Sequence, residues 1–405
     1  MSKIDFTKAG FGTTVIHAGH NGNANDTLAT PIYQTSTYTF ETVEEGGLTF
    51  AGQLPKYDYS RVGNPTVKVL EDKMAVLECT EAAICTGSGM GAVSSALMGL
   101  LKAGDHVIAA DCVYGCTDVV MRQILPSIDI ETTLVDTTNL AAVEAAIKPN
   151  TKIIYFETAA NPTMKVTDVA AISELAHKHG VKIVVDNTFT PPPICRPATL
   201  GADIVLHSMT KYLNGHGDVV AGVVCGSAAD IKQIGYRAVG KICGSHMAPS
   251  NAYLVIRGMK TLELRLQRHG DNAKQIAEYL EKQPYIKAVY HPSLASNGAS
   301  YEIAAKQFDP EFTTGMVSFE TKAYNGMSEF DVAKKLVNNL TIPAIGVSLG
   351  DPDSLIQHPA SMTHSNVTPE GRIAAGVTDG LIRFSVGLEN AKDLIADLEQ
   401  AAAKL

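Results

Sequence analysis

Short apolar runs alternate with amphipathic stretches through the middle of the chain, and most of the runs end in a polar residue. The apolar runs predict six strands, at residues 105–110, 130–135, 152–157, 181–186, 202–207 and 219–225. The amphipathic stretches predict helices near residues 116–125, 140–147 and 167–179. Strands alternating with helices in this way predict an α/β sandwich built on a largely parallel sheet.

The pattern changes at both ends of the 405-residue chain. Residues 1–63 are polar and weakly periodic, so we expect an arm that packs on a neighbouring subunit rather than on itself. Residues 64–260 are predicted to form the large ligand-binding domain, and residues 261–405 a smaller α+β domain. The further elements are predicted helices at 65–78, 252–283, 328–339 and 390–404, and predicted strands at 317–320 and 380–386.

Two successive strands of the large domain end in residues that suit one cofactor. The run Ile204–Leu206 leads to Ser208, Thr210 and Lys211, and a poorly hydrated lysine has a nucleophilic amine suited to Schiff-base chemistry. Asp186 ends the preceding strand, where an acid points into the ligand crevice of an α/β sheet. Each residue alone has an ordinary structural explanation, Lys211 as a surface lysine and Asp186 as a turn cap. Together they fit pyridoxal phosphate, whose ring nitrogen needs an acid and whose aldehyde needs an amine.

The glycine-rich stretch after residue 86 has three interpretations. Glycines at a helix start let backbone N–H groups approach a phosphate. Gly87, Gly89 and Ala92 also match G-x-G-x-x-[GA], and the next strand ends at Asp111, which would suit a dinucleotide fold and an NAD-dependent dehydrogenase. The third interpretation is that the glycines only allow close helix packing.

Four further positions carry possible chemistry, each with a structural alternative. Tyr114 could stack on a flat ring or fill the core, and Cys116 could be a site thiol or a small buried hydrophobe. Arg61 could bind a phosphate or be a solvated surface residue. Arg383 interrupts the apolar strand at 380–386, where an unpaired charge is costly, so its partner is a carboxylate of either a substrate or the protein.

Composition excludes several classes of function. The net charge of −9 and the lack of a basic stripe argue against nucleic acid as a partner. Seven cysteines without a C-x-x-C pair predict reduced thiols in a cytoplasmic protein. No window approaches a membrane span, the first five residues lack a signal-peptide core, and no histidines lie at metal-ligand spacing, so we expect neither a membrane partner nor a metal site.

The ordered motifs resemble the Cys/Met-metabolism family of fold type I pyridoxal-phosphate enzymes over nearly the whole chain. The matching segments are TPIYQTST at 30–37, YSRVGNPT at 59–66, SGM at 88–90, DNT at 186–188, SMTKY at 208–212, GHGD at 215–218 and HPASMTHS at 358–365. The resemblance implies that the large domain binds pyridoxal phosphate and that the enzyme is a carbon–sulfur lyase. It also implies subunits that pair to complete each site, as a homotetramer of two such dimers.

The resemblance also implies roles for single residues. Lys211 would bind the cofactor covalently and shuttle protons, while Asp186 would hold the ring nitrogen. The residues implied to bind the phosphate are Ser88, Gly89, Met90, Ser208 and Thr210, joined by Tyr59 and Arg61 of a neighbouring subunit. Tyr114 would stack on the ring and act as acid or base, and Asn161 would lie near the ring oxygen. Arg383, helped by Ser348, would hold the substrate carboxylate.

Within the family, Tyr114-Gly115-Cys116 and Val347 resemble the members that eliminate methanethiol from L-methionine. An apolar lining suits a thioether better than the charged tail of cystathionine. We therefore expect γ-elimination of L-methionine, with Cys116 in the catalytic group; the alternatives are a cystathionine or homocysteine γ-lyase, or an O-acetylhomoserine sulfhydrylase. Gly240-Lys241, where these members carry Lys-Asp, and Ala159, where the family has proline, depart from the pattern.

Overall fold

The computed structural model describes residues 4–20, 25–365, 368–374 and 376–405. The predicted arm at residues 1–63 therefore lies partly outside the described residues. The described chain contains two β-sheets with helices packed on them. None of its helices has the length and apolar character needed to cross a membrane.

The larger sheet has seven strands in the order β1-β7-β6-β5-β4-β2-β3. These strands are β1 (Ala82–Thr86), β2 (His106–Ala110), β3 (Glu131–Val135), β4 (Thr151–Glu157), β5 (Lys182–Asp186), β6 (Ile204–Ser208) and β7 (Gly222–Gly226). Strands β3, β2, β4, β5 and β6 pair in parallel, whereas β7 runs antiparallel to both β6 and β1. This confirms the predicted α/β class with a mostly parallel sheet.

The smaller sheet has five strands in the order β10-β11-β12-β9-β8, and it lies entirely in the C-terminal third of the chain. These strands are β8 (Ile286–Tyr290), β9 (Met316–Thr321), β10 (Ala344–Ile345), β11 (Leu355–Gln357) and β12 (Leu381–Ser385). Only β10 and β11 pair in parallel. The predicted smaller α+β unit is thus confirmed, while the limits 1–63, 64–260 and 261–405 remain predictions.

Fourteen α-helices are present in the described residues. They are α1 (Phe11–His17), α2 (Val43–Phe50), α3 (Pro65–Leu77), α4 (Gly89–Leu100), α5 (Gly115–Val119), α6 (Leu140–Ala146), α7 (Val169–Lys178), α8 (Ala228–Ile234), α9 (Pro249–Met259), α10 (Leu262–Leu280), α11 (Ala299–Gln307), α12 (Glu329–Asn338), α13 (Pro369–Ala374) and α14 (Ala391–Ala402). Helix α3 begins where the sequence indicates, since Asn64 caps the N–H of Thr66 at 2.9 Å and Pro65 occupies the first turn.

Two predicted elements differ from the structure, and one strand was not predicted. The helical stretch predicted at 252–283 is two helices, α9 and α10, because the chain turns at Lys260 and Thr261. The helix predicted at 116–125 is the short α5 followed by a π-helical segment, Val120–Ile124. Strand β1 was not predicted from the sequence, because its run is only five residues long and leads directly into a glycine-rich stretch.

The core of the large sheet fixes where the chemistry lies. Every residue of β2 is buried, and Tyr155 and Phe156 on β4 have no exposed surface. Parallel strands buried on both faces present functional side chains only beyond their carboxyl ends. The residues that follow β2, β4, β5 and β6 therefore meet at one edge of the sheet.

Candidate active site

A cavity of about 1000 Å³ lies at the carboxyl ends of the parallel strands, with part of its wall supplied by the smaller sheet and its loops. All of the predicted site residues except Tyr59 and Arg61 line this cavity. They are Ser88, Gly89, Met90, Tyr114, Cys116, Asn161, Asp186, Ser208, Thr210, Lys211, Ser348 and Arg383. The structure therefore brings together positions separated by almost 300 residues of sequence.

Lys211 follows β6 and presents its amine to the cavity. Its Nζ donates to the hydroxyl of Ser348 at 2.9 Å. Burial, and then the nearby guanidinium of Arg383, lower the pKa of Lys211 from 10.5 to about 8, because both disfavour the ammonium form. The amine is thus neutral in about a tenth of molecules at pH 7, far more than for an ordinary lysine, and nucleophilic attack on an aldehyde requires this neutral form.

Asp186 ends β5 directly beside Leu206 of β6. Burial raises the pKa of Asp186, while the N–H and hydroxyl of Thr188, which donate to Oδ1 at 3.0 and 2.6 Å, favour the charged form. Among the described residues, no lysine, arginine or histidine forms an ion pair with this carboxyl. A buried acid oriented by a hydroxyl and lacking a protein cation suits a protonated ring nitrogen.

The first turn of α4 borders the cavity beside β6. The Ser88 hydroxyl accepts from the N–H of Gly91 at 2.9 Å, which leaves the preceding N–H groups of Gly89 and Met90 at the positive end of the helix. A Cβ on Gly89 would lie 2.6 Å from the Cβ of Ser208. Glycine is therefore required for α4 to start against β6, and the two elements together form an anion cradle.

Thr210 contributes to this wall in a more limited way. Its hydroxyl donates to the carbonyl of Ala221 at 3.2 Å and accepts the N–H of the same residue at 3.0 Å. These bonds fix the loop between β6 and β7 beside Ser208. The predicted role of Thr210 as a phosphate ligand remains a prediction, since its hydroxyl is already bonded to backbone.

Arg383 lies on β12 and is only 4% exposed. Its Nη2 donates to the carbonyls of Val347 and Ser348 at 2.6 and 3.2 Å, and its Nη1 donates to Oδ1 of Asn161 at 3.2 Å. The amide oxygen of Gln357, in the orientation that satisfies both groups, accepts from Nε at 2.9 Å. These are neutral acceptors, and no Asp or Glu forms an ion pair with Arg383 in the described part of the chain.

The guanidinium of Arg383 therefore donates only to neutral acceptors among the described residues, and burial lowers its pKa to about 10. Of the two partners considered from the sequence, the protein carboxylate is not found among the described residues. A substrate carboxylate in the cavity would supply the missing negative charge.

Tyr114 and Cys116 lie together at the mouth of the cavity, at the start of α5. Tyr114 is 46% exposed, so it does not fill the core, and Cys116 is exposed as well. A hydrogen bond between the two side chains, followed by partial burial, raises the pKa of Tyr114 to about 12. The phenol therefore keeps its proton at neutral pH and can give it to a leaving group.

The structure adds one acid that sequence reasoning missed as a site residue. Glu157 ends β4 opposite Asp186 of β5, and it lines the cavity. Its carboxylate oxygens accept the N–H groups of Tyr114 and Asn161 at 2.7 and 2.8 Å. The signal was present, because Glu157 ends an apolar strand just as Asp186 does.

Tyr59 and Arg61 lie outside the cavity of their own chain. Arg61 is exposed, donates to the carbonyl of Gly240 and lies 5.5 Å above the ring of Tyr59. The adjacent Lys241 stacks on Tyr236, with its Nζ 3.3 Å from the ring centre. The contribution of Tyr59 and Arg61 to a neighbouring subunit stays a prediction.

Three loops that carry site residues are each bonded to the C-terminal part of the chain. Ser318 donates to the carbonyl of Pro162 in the loop after β4, at 2.6 Å. Thr314 donates to the carbonyl of Phe189 after β5, at 2.8 Å. Arg265 donates to the carbonyl of Tyr212 after β6, at 2.8 Å. The C-terminal elements therefore support the site in addition to forming part of its wall.

These residues fit pyridoxal phosphate group by group. The anion cradle of α4 and Ser208 suits the phosphate, Asp186 the ring nitrogen, and the neutral amine of Lys211 the aldehyde. Tyr114 lines the same cavity, and its stacking on the cofactor ring stays a prediction. The cofactor predicted from the sequence thus agrees with the donor set that the fold assembles.

The dinucleotide interpretation of Gly87 to Asp111 is wrong. The glycine loop of a dinucleotide fold follows a central parallel strand. Here it follows β1, which lies at the edge of the sheet and pairs antiparallel with β7. Asp111 instead lines the cavity described above.

Comparisons with known proteins give the same result. Residues 12–403 match the family model described as Cys/Met metabolism PLP-dependent enzyme. The chain is 50% identical to an L-methionine gamma-lyase of Porphyromonas gingivalis over 406 residues, covering all of both chains, and 51% identical to one of Fusobacterium nucleatum subsp. polymorphum, covering 99% of this chain and all of the relative.

A solved structure shows a similar fold with the cofactor present. It is a putative O-acetylhomoserine (thiol)-lyase from Campylobacter jejuni that carries N'-pyridoxyl-lysine-5'-monophosphate. The TM-score is 0.91 at 32% identity, over 97% of this chain and 99% of that one.

Proposed function

The chain belongs to the family of Cys/Met metabolism PLP-dependent enzymes, and we propose that within it the protein catalyses the γ-elimination of L-methionine. Water is consumed, and the products are methanethiol, 2-oxobutyrate and ammonia. The observation that carries the proposal is the setting of Tyr114, whose protonated phenol is hydrogen-bonded to the thiol of Cys116 and lines the same cavity as the apolar side chain of Val347. The relatives named L-methionine gamma-lyase at about half identity support it.

Arg383 and its neighbours would orient the substrate. The guanidinium would bind the α-carboxylate from the cavity side, while Asn161 and the carbonyls of Val347 and Ser348 hold its orientation. A planar guanidinium held by several acceptors loses little freedom on binding. The side chain of the amino acid then extends toward Tyr114.

Lys211 and Tyr114 would move the protons. When bound, pyridoxal phosphate supplies an electron sink that stabilises negative charge at the substrate Cα. Lys211 Nζ removes the Cα proton, for which its lowered pKa of about 8 provides the neutral base. A Cβ proton then leaves, and the electron pair of that C–H bond forms the Cβ–Cγ double bond as the Cγ–S bond breaks. Tyr114 Oη donates its proton to the departing sulfur, and its raised pKa of about 12 ensures that the proton is present. Asp186 keeps the ring nitrogen protonated throughout.

The wall near the leaving group favours a neutral thioether. Val347, Val113 and Leu349 present apolar surface to the cavity. A methylthio group loses little on entering such surroundings, whereas the charged amino-acid end of cystathionine would need polar partners. This difference is the physical reason for placing methionine ahead of cystathionine.

We further propose that the active unit is a homotetramer built from dimers with shared sites, located in the cytoplasm. Tyr59 and Arg61 are exposed and lie away from their own cavity, as expected if residues 1–63 reach a neighbouring subunit to bind its phosphate. The odd set of seven cysteines without a C-x-x-C pair suits a reducing compartment. Sedimentation of the holoenzyme would test the assembly.

A substrate panel tests the activity. We expect the highest kcat/KM for L-methionine among L-methionine, L-cystathionine, L-homocysteine and O-acetyl-L-homoserine with sulfide, with 2-oxobutyrate or thiol product measured for each. Lys211→Ala should fold and retain no turnover. A higher kcat/KM for cystathionine or for the acyl ester would replace the proposal with one of those activities.

A single substitution tests the reason for the ranking. Val347→Glu places a carboxylate at the apolar wall, so kcat/KM for methionine should fall at least tenfold while the value for cystathionine, which carries a distal ammonium, falls less. Val347→Ile keeps the wall apolar and is the matched control. An equal loss for both substrates in Val347→Glu would contradict the role given to this wall.

A further inference from the structure

Glu157 is a buried acid whose two oxygens are bonded to two different loops of the site. It is 6% exposed, and its Oε1 and Oε2 accept the N–H groups of Tyr114 and Asn161 at 2.7 and 2.8 Å. The first bond fixes the backbone of Tyr114, the residue proposed to stack on the cofactor ring. The second fixes the backbone of the residue whose Oδ1 accepts from Arg383.

This arrangement has an energetic cost that packing alone does not explain. Burial, and then the neighbouring charge of Asp186, raise the pKa of Glu157 to about 8, so the ionised form is disfavoured by both. No lysine, arginine or histidine forms an ion pair with it among the described residues. A buried acid without a cation persists where its geometry serves a purpose, and here two backbone donors use both of its oxygens.

We propose that Glu157 is a positioning residue that holds the loops after β2 and β4 in one geometry, and thereby sets both the stacking of Tyr114 on the cofactor ring and the aim of Arg383 at the substrate carboxylate. The proposal rests on the proposed function only for the roles of Tyr114 and Arg383. Glu157 itself contacts backbone, so it acts through these neighbours.

The side-chain chemistry at this position is specific. Both N–H groups need an acceptor, and a glutamine offers one oxygen and one NH₂ group that faces a donor. Aspartate keeps the carboxyl group but is one methylene shorter, so it cannot span the same two donors. Alanine removes both acceptors and leaves two buried N–H groups unpaired.

The experiment compares the holoenzyme with Glu157→Gln and Glu157→Ala. Two readouts do not depend on turnover: the visible circular dichroism of the bound cofactor, which reports ring stacking, and spectral titration with L-norleucine, which has the shape of methionine but no sulfur to leave. We expect the Kd for L-norleucine to rise at least fivefold in Glu157→Gln and further in Glu157→Ala. The visible ellipticity should fall by at least half.

The matched control is Glu71→Gln. Glu71 also accepts a backbone N–H, from Cys85 at 3.0 Å, and burial raises its pKa to about 7. Unlike Glu157, it does not line the cavity. We expect its Kd and ellipticity to stay within twofold of the parent. Equal changes in both variants, or Glu157→Gln values within twofold of the parent, would overturn the proposal.

Folding and function are separated by two further measurements. If Glu157→Gln does not fold, judged by far-ultraviolet circular dichroism, Glu157→Asp replaces it, and parental norleucine binding in that variant overturns the proposal because aspartate cannot span both donors. If the parent enzyme fails to eliminate from methionine, the proposed function is wrong, but norleucine titration and ellipticity still decide the role of Glu157.

Discussion

Cofactor capture by Lys211 is expected to level off near pH 8, far below the range in which an ordinary lysine becomes reactive. The fold lowers the pKa of this amine from 10.5 to about 8. That change corresponds to about 3 kcal/mol of preference for the neutral amine. At pH 8 about half of the amine is neutral, compared with roughly 0.3% for an unperturbed lysine.

The assay removes the cofactor with hydroxylamine and follows its return. The apoprotein is mixed with pyridoxal phosphate from pH 6 to 10, and the rate is read from the visible band of the lysine-bound cofactor. The rate should rise about tenfold per pH unit below pH 8, where the ammonium dominates, and then become constant. N-acetyl-lysine, measured in parallel, corrects for titration of the cofactor itself.

Two variants test the sign of the electrostatic contributions. Arg383→Gln removes a positive charge that disfavours the ammonium, so the midpoint should move to higher pH. Asp351→Asn removes a negative charge that favours the ammonium, so the midpoint should move to lower pH. A rate that keeps rising tenfold per unit up to pH 10 in the parent protein would refute the reasoning.

Two further predictions concern the cradle and the core. Gly89→Ala should weaken pyridoxal phosphate binding at least tenfold, because the new Cβ would lie 2.6 Å from the Cβ of Ser208. Equilibrium dialysis measures the Kd, and an unchanged value would contradict the role given to the cradle. Glu78→Ala should lower the free energy of unfolding by about 3–5 kcal/mol, since it removes a fully buried hydrogen bond to His207. Urea denaturation followed by circular dichroism measures this free energy, and a loss under about 1 kcal/mol would contradict the prediction.

Sequence patterns predicted the parallel part of the large sheet and the position of its chemistry. The apolar runs that end at Asp186 and before Ser208 are β5 and β6, and both residues line the cavity as expected of strand carboxyl ends. Local pattern suffices here because each strand is buried on both faces. The roles of Tyr114 and Arg383 needed the family resemblance, since single polar residues have equally ordinary explanations.

Long-range contacts account for what the sequence did not predict. The break between α9 and α10 has no proline, and it coincides with Arg265 reaching across to the carbonyls of Tyr212 and Gly258. Glu157 was not predicted as a site residue because its partners are backbone N–H groups of two loops. Almost every residue has such a group, so a sequence pattern cannot identify these partners. Periodicity reports burial, whereas these bonds depend on which loops the fold brings together.

The bonds from Ser318, Thr314 and Arg265 to the loops after β4, β5 and β6 have a consequence for recombining this enzyme with its relatives. A chimaera with a crossover between Tyr212 and Arg265 would take the three loops from one parent and the three side chains that bond to them from the other. The chimaera would contain every catalytic side chain, but the distances between them would depend on loops and supporting residues that come from different parents. Active hybrids are therefore expected when Ser318, Thr314 and Arg265 are exchanged together with the loops to which they bond.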